Sequence, residues 1–189
     1  MKLKNKTKHR FSIHSLLVYG GSFDPIHLGH IEGIKLALKS LNPTLCFLTP
    51  AFINPFKTHT TFSPHQRVKW LKRAIKQNIK DKRAKLCLFE INQNKPTPTI
   101  TTILYLKKRY NIKKIYFLLG ADNASHLQTW DEFERLNQLA EFVFLTRLGY
   151  ELPKDFIYKT LTLDIPTSST EIRKGNQKEF LPKFLQGLR

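Results

Sequence analysis

Cysteine is scarce in this 189-residue chain, with only Cys46 and Cys87 present. Both sit in short apolar runs, LCFL and LCLF, without CxxC spacing, which excludes a disulfide framework and points to buried thiols in a reducing, cytoplasmic compartment. Long apolar runs are missing too. No stretch reaches about 18 consecutive apolar residues, so no segment is expected to span a membrane. Acidic residues are the third shortage: 14 Asp and Glu face 32 Lys and Arg, a formal net charge of +18. Such an excess suits phosphate-bearing partners without choosing among nucleotides, nucleic acid and an anionic surface. What is present is ordinary. Apolar residues make up 41% and charged residues 24%, which argues against wholesale disorder, collagen-like repeats and coiled coil, and the length suits one domain.

The first ten residues, MKLKNKTKHR, hold five of the cations and no acid, so the rest of the chain still carries +13. Residues 1–15 read as a basic, mobile leader, and residues 16–189 as a single domain. Leu16, Leu17 and Val18 follow the basic start as a signal peptide's apolar core would. Ser12, His14 and Ser15 interrupt that run, however, and no small-residue cleavage site follows.

Beyond the leader, short apolar runs alternate with amphipathic stretches, the pattern of strand-helix units around a parallel sheet buried on both faces. The runs 16–19, 45–49, 85–89, 114–119 and 141–146 read as strands. Helical spacing covers 28–41, 99–110 and 131–139, and a last helix starts near Ser169. Another begins at Ser63, a serine N-cap followed by Pro64 and by Gln66 at the third helical position. The expected architecture is α/β, a Rossmann-like doubly wound parallel sheet of about five strands with helices on both faces. Ligands of such sheets bind beyond the carboxyl ends of the strands, so the residues after each strand should share one rim.

Three segments carry chemistry. The first, GGSFDPIHLGH (20–30), places two glycines after a strand and His27 and His30 at a helix start, three apart and on one face. Glycines allow a close approach of the backbone, helix amide groups suit phosphate, and imidazoles can donate to phosphoryl oxygens. Gly29 keeps the ground between the histidines open. Read alone, the segment is equally a plain turn with solvated histidines; zinc is disfavoured because no further ligands complete a tetrahedral set. The second, IPTSSTEIR (165–173), fits a capping box at Ser168 and Glu171 and brings hydroxyls and one guanidinium to a helix start. The third contains Gly120, Ala121 and Asp122, then Leu127 and Trp130, with Arg147-Leu148-Gly149-Tyr150 further on. A tryptophan at such a rim can stack on a pyridine ring or anchor a helix, and Asp122 can accept from ribose hydroxyls or cap.

Together these segments resemble the nucleotidylyltransferase superfamily, relatives of class I aminoacyl-tRNA synthetases, through its HxGH and SSTxIR elements. GAD...LxxW and the RxGY element are similar to those of the nicotinate-nucleotide adenylyltransferase family. The resemblance runs from about Leu16 to the C-terminus. It implies a nucleotidylyltransferase-type fold and transfer of AMP from ATP to nicotinate mononucleotide in NAD biosynthesis, with pyrophosphate released. It assigns catalysis to His27, His30 and Arg173. It places ATP against Gly20, Gly21, Ser22, Phe23, His27, His30, Gly120, Asp122, Ser168, Ser169, Thr170 and Arg173, and the mononucleotide against Lys57, Thr99, Asp122, Trp130 and Arg147. Lys57 belongs to PAFINPFK (50–57), similar to the family's loop after the second strand. Thr99 lies where the family has SYTxDTL, although here Pro98 stands for the Tyr and Thr101 for the Asp, so Thr99 or Thr102 also reads as a helix cap. Mg²⁺ is expected to arrive with the ATP phosphates, with Asp24 the nearest motif carboxylate and no protein ligand assigned.

Pantetheine-phosphate adenylyltransferase shares the ATP motifs but not the GAD, Trp and RxGY residues. A nucleic-acid-binding protein would explain the charge, yet no nucleic-acid signature occurs, so neither nucleic acid nor membrane is an expected partner. Class I synthetase chemistry would need a KMSKS-like loop. Whether copies associate into a homo-oligomer is left open.

Overall fold

The computed structural model describes residues 11–147, 151–153 and 156–187. Six strands form one parallel sheet: β1 (Ser12–Gly21), β2 (Leu45–Pro50), β3 (Ala84–Leu86), β4 (Asn111–Gly120), β5 (Glu141–Arg147) and β6 (Lys159–Leu163). Their order, β3-β2-β1-β4-β5-β6, starts the chain in the middle of the sheet, builds outward to one edge, then returns beside β1 and builds toward the other. The direction of winding therefore reverses between β1 and β4, where a crevice opens at the carboxyl ends. In register, Tyr19 on β1 faces Leu118 on β4, so Gly20, Gly21 and Gly120 emerge side by side at that crevice.

Helices α1 (Leu28–Leu41), α2 (Pro64–Ala74), α3 (Phe89–Gln93), α4 (Thr99–Arg109), α5 (Phe133–Leu139) and α6 (Ser169–Arg173) cover the sheet. Strand alternation divides β1 between two cores. Leu17 and Tyr19 pack with Ile31, Ile34 and Leu38 of α1, Leu71 of α2 and Ile172 of α6; Leu16 and Val18 pack with Ile100, Ile103 and Leu106 of α4 and Leu136 of α5. Burial of β1 on both faces explains its run of apolar residues. Among the described residues no helix is long and apolar enough to cross a membrane, and Cys46 and Cys87 are free and buried.

Several expectations need correction. The strand expected from Leu16 begins at Ser12, because Ile13 and Ser15 are buried while Ser12 and His14 point out, the period-two alternation of a strand. The supposed leader thus contributes residues 12–15 to the sheet, and residues 1–10 lie outside the described residues. The sheet has one strand more than expected, β6. β3 stops at Leu86, and Phe89 opens α3 instead. A 3₁₀ run, Ala121–Thr129, occupies the segment after β4, and α5 begins two residues later than its spacing suggested.

Candidate active site

The carboxyl rim encloses a cleft of about 820 Å³. Every candidate residue lines it: Gly20, Gly21, Ser22, Phe23, His27, His30, Lys57, Thr99, Gly120, Asp122, Trp130, Arg147, Ser168, Ser169, Thr170 and Arg173. Residues distant in the chain meet there because each follows a strand or starts a helix.

His27 is the N-cap of α1, and its backbone N–H donates to His30 Nδ1 at 3.3 Å. The two imidazoles stack with centroids 3.7 Å apart and planes 29° from parallel, and His30 also packs edge-on against Phe23 at 5.1 Å. Burial drives His30 down to about 3. Burial first, then His30 and Arg147, hold His27 well below the ordinary imidazole range. Both rings are therefore neutral at physiological pH, which is what permits them to stack so closely. Since His30 Nδ1 is an acceptor, its proton sits on Nε2, a donor for an incoming ligand. Gly29 has a different role from the one expected. A Cβ there would lie 3.0 Å from Thr167 Cγ2 and 3.1 Å from the His27 ring, so glycine lets the loop before α6 close onto His27. Gly20 likewise makes room for a side chain: its missing Cβ would sit 2.8 Å from the Phe117 ring.

Arg173 donates to the backbone carbonyl of Asp24 at 2.6 Å and to Thr170 Oγ1 at 3.1 Å, which leaves part of its donor fork for a ligand. Ser168 caps α6 by accepting from the Glu171 amide at 3.2 Å. The reciprocal half of the expected box is absent, for Gln177 Oε1 accepts from the Ser168 amide while Glu171 binds Lys174 and Asn176. Ser169 donates to the Pro25 carbonyl at 3.0 Å. The Ser169 hydroxyl and Arg173 thus hold the helix to the histidine loop. Asp24 is also committed, since its carboxylate oxygens accept from the amides of Thr61 and Phe62, each at 2.9 Å.

At the other end of the cleft, Trp130 packs perpendicular to Phe117 at 6.0 Å and nearly so to Phe142 at 6.4 Å. It thus anchors in the core and borders the cleft at once. Asp122 is exposed on the rim, while Asn123 donates to the Gly120 carbonyl at 3.0 Å. Arg147 Nη1 approaches the Thr167 carbonyl at 3.4 Å, and its neighbours Leu148, Gly149 and Tyr150 lie outside the described residues. Neither threonine caps α4. Thr99 is its first residue after Pro98, and buried Thr102 donates to Glu90 at 2.8 Å.

The family model described as cytidylyltransferase-like matches residues 18–175. A probable nicotinate-nucleotide adenylyltransferase from Nitratiruptor sp. is 38% identical over 90% of this chain and 93% of its own length. The chain belongs to the nicotinate-nucleotide adenylyltransferase family. It is accordingly a nucleotidyltransferase. A probable nicotinate-nucleotide adenylyltransferase from Campylobacter jejuni is 39% identical over 84% of both chains. The solved structure of Plasmodium falciparum nicotinic acid mononucleotide adenylyltransferase complexed with NaAD is similar with a TM-score of 0.69 and 25% identity, over 92% of this chain and 93% of that one.

Two residues of this nicotinate-nucleotide adenylyltransferase family member escape sequence reasoning. Arg67, fully buried, donates to the carbonyls of Ser22 (2.6 Å), Ala51 (2.8 Å), Phe52 (2.7 Å) and Phe62 (3.1 Å), clasping the loops after β1 and β2. Its signal was a charge on the apolar face of α2, in phase with Leu71 and Ala74. Glu90 lines the cleft beside Thr97 and Pro98, and burial pushes its carboxyl up to about 7 despite the bond from Thr102.

Proposed function

We propose that the protein transfers the AMP group of ATP to nicotinate mononucleotide. A phosphate oxygen of the mononucleotide attacks the α-phosphorus in line, the bond from that phosphorus to the bridging oxygen of pyrophosphate breaks, and nicotinate adenine dinucleotide and pyrophosphate result. The observation that carries the reading is one cleft whose two ends suit the two substrates: His27, His30 and Arg173 at one, Trp130 and the start of α4 at the other.

Neutral imidazoles donate N–H bonds, and Arg173 supplies a fixed charge where negative charge grows on the α-phosphate and leaving group. No covalent intermediate is required, because holding two polyanions in line is the main task. We read Mg²⁺ as part of the ATP substrate. Asp24, the nearest motif carboxylate, is occupied by two amides, and among the described residues no three His, Cys, Asp or Glu side chains gather as a metal site. Asp122 would accept from ribose hydroxyls, Trp130 would stack on the pyridine ring, and Lys57 and Arg147 would meet the mononucleotide.

A preference for nicotinate over nicotinamide is part of this reading, and α4 supports it. Its N-terminus opens at the cleft through Thr99, Pro98 gives it no side-chain cap, and the neighbouring Glu90, pushed up to about 7 by burial, is mostly uncharged below that pH, a setting that favours a carboxylate over a neutral amide. The buried free thiols support a cytoplasmic setting. Pyrophosphate release from ATP and Mg²⁺, measured with nicotinate mononucleotide, its amide and phosphopantetheine, tests the reading. The acid should be the fastest acceptor; faster turnover of phosphopantetheine would overturn it.

A further inference from the structure

Among the described residues, the large apolar side chains left mostly exposed are Phe11, Phe56 and Ile157, and of these Phe56, 58% exposed, lines the catalytic cleft. Its ring centroid lies 6.5 Å from that of Trp130, with the planes 33° from parallel. The pair is tilted rather than stacked, and its separation is close to what a third ring held between the two would need. Carbon atoms in contact sit about 3.5 Å apart, so a flat ring held between two others sets its neighbours about 7 Å apart. Phe117 and Phe142 brace the indole at close to right angles, which fixes its plane and leaves the Phe56 side to open or close.

The segment bearing Phe56 is built to do so. Its first end is pinned by Ala51, whose amide donates to Gly21 at 3.0 Å, and by Arg67. Its second end is pinned by Asp24 through the Thr61 and Phe62 amides. Between these ends Asn54 folds a local turn, accepting from Phe56 N and Lys57 N at 2.8 Å each, so an aromatic ring and an ammonium are presented together. A nucleotide carries the matching pair, a flat base and a phosphate.

We propose that Phe56 is a specificity-determining residue, its ring and the Trp130 indole forming a two-sided slot for the pyridine ring of the mononucleotide. This rests on the substrate reading above, to which it adds the second wall. Seating the ring needs only a small opening of the pair and a turn of Phe56 toward parallel. The ATP side of the cleft does not use the slot.

Calorimetric titration of the full chain with nicotinate mononucleotide, and separately with ATP, tests this on the wild type and on Phe56→Ala, Phe56→Leu and Phe56→Tyr. Stacking on one added aromatic face predicts that Phe56→Ala weakens the mononucleotide from about threefold to about tenfold. ATP should stay within twofold, Phe56→Tyr should restore affinity, and Phe56→Leu should remain weak. A loss below threefold, equal weakening of ATP, or a leucine variant as tight as wild type would each overturn the slot while leaving the substrate reading intact. A wild type that binds ATP but no pyridine mononucleotide would remove that reading and the slot with it.

Discussion

The stacked histidines make a prediction about acid stability that can be worked through. His30 is held neutral, its proton binding driven down to about 3, whereas the same residue in the unfolded chain titrates near its ordinary 6.5. Below pH 6.5 the unfolded state therefore binds a proton that the folded state refuses. Stability is complete above 6.5 and falls as the pH drops toward 3, at about 1.4 kcal/mol per pH unit. Between neutral pH and pH 5.0 the loss from His30 is about 2 kcal/mol, or a fall in Tm of about 4–8 °C for a chain of this size. His27, lowered by burial and by its neighbours His30 and Arg147, adds in the same direction. The informative variant is His30→Asn, whose side-chain oxygen can still accept from the His27 amide but cannot titrate. Scanning calorimetry from pH 8 to pH 5 should show a wild-type Tm that falls more steeply than the variant's, by roughly the amount above. Parallel curves would mean that His30 is not held neutral. The donation of an N–H bond by an uncharged imidazole would then have to be abandoned.

Other outcomes follow from the same contacts. Arg67→Met should leave four carbonyl groups without their donor, costing about 3–5 kcal/mol and about 10 °C in Tm, with kcat/KM falling as well; a variant within 2 °C of wild type would show that the clasp is dispensable. Asp24→Asn turns one amide acceptor into a donor facing an N–H group, so a loss of about 1–3 kcal/mol is expected with the Mg²⁺ concentration for half-maximal activity unchanged. A several-fold shift in that concentration would make Asp24 a metal ligand. Trp130→Ala should raise the KM for the mononucleotide about tenfold and that for ATP less than about twofold, read from initial rates; equal rises would assign Trp130 to the scaffold alone.

The parts of this protein legible in its sequence are those where a side chain declares its own environment. Ser63, Pro64 and Gln66 announce the start of α2, and the cap bond from Gln66 N to Ser63 Oγ is present at 3.2 Å. The histidines, Arg173 and Trp130 converge because the carboxyl ends of parallel strands share one rim whatever the lengths between them. β6 was not legible, because KTLTL at a sheet edge buries too little to stand out, and Ser12–Ser15 was misread because its alternating polar residues resembled a basic tail. More instructive is the division inside the motifs. Asp24, Ser168 and Ser169 belong to ligand-like patterns, yet their side chains bind backbone groups, while Arg67, outside those motifs, does the same work. The partners of these residues are mainly peptide groups, which carry no residue identity, so no reading of side chains could find them. Their arrangement joins functions that the sequence keeps apart. Arg173 grips the Asp24 carbonyl, the Asp24 carboxylate grips residues 61 and 62, and Arg67 ties residues 51, 52 and 62 to Ser22. The loop carrying Phe56 and Lys57 is thus fastened at both ends to the loop carrying the histidines. Loosening either anchor should disturb mononucleotide binding and phosphate binding together, whereas a change at the Phe56 tip should touch only the first.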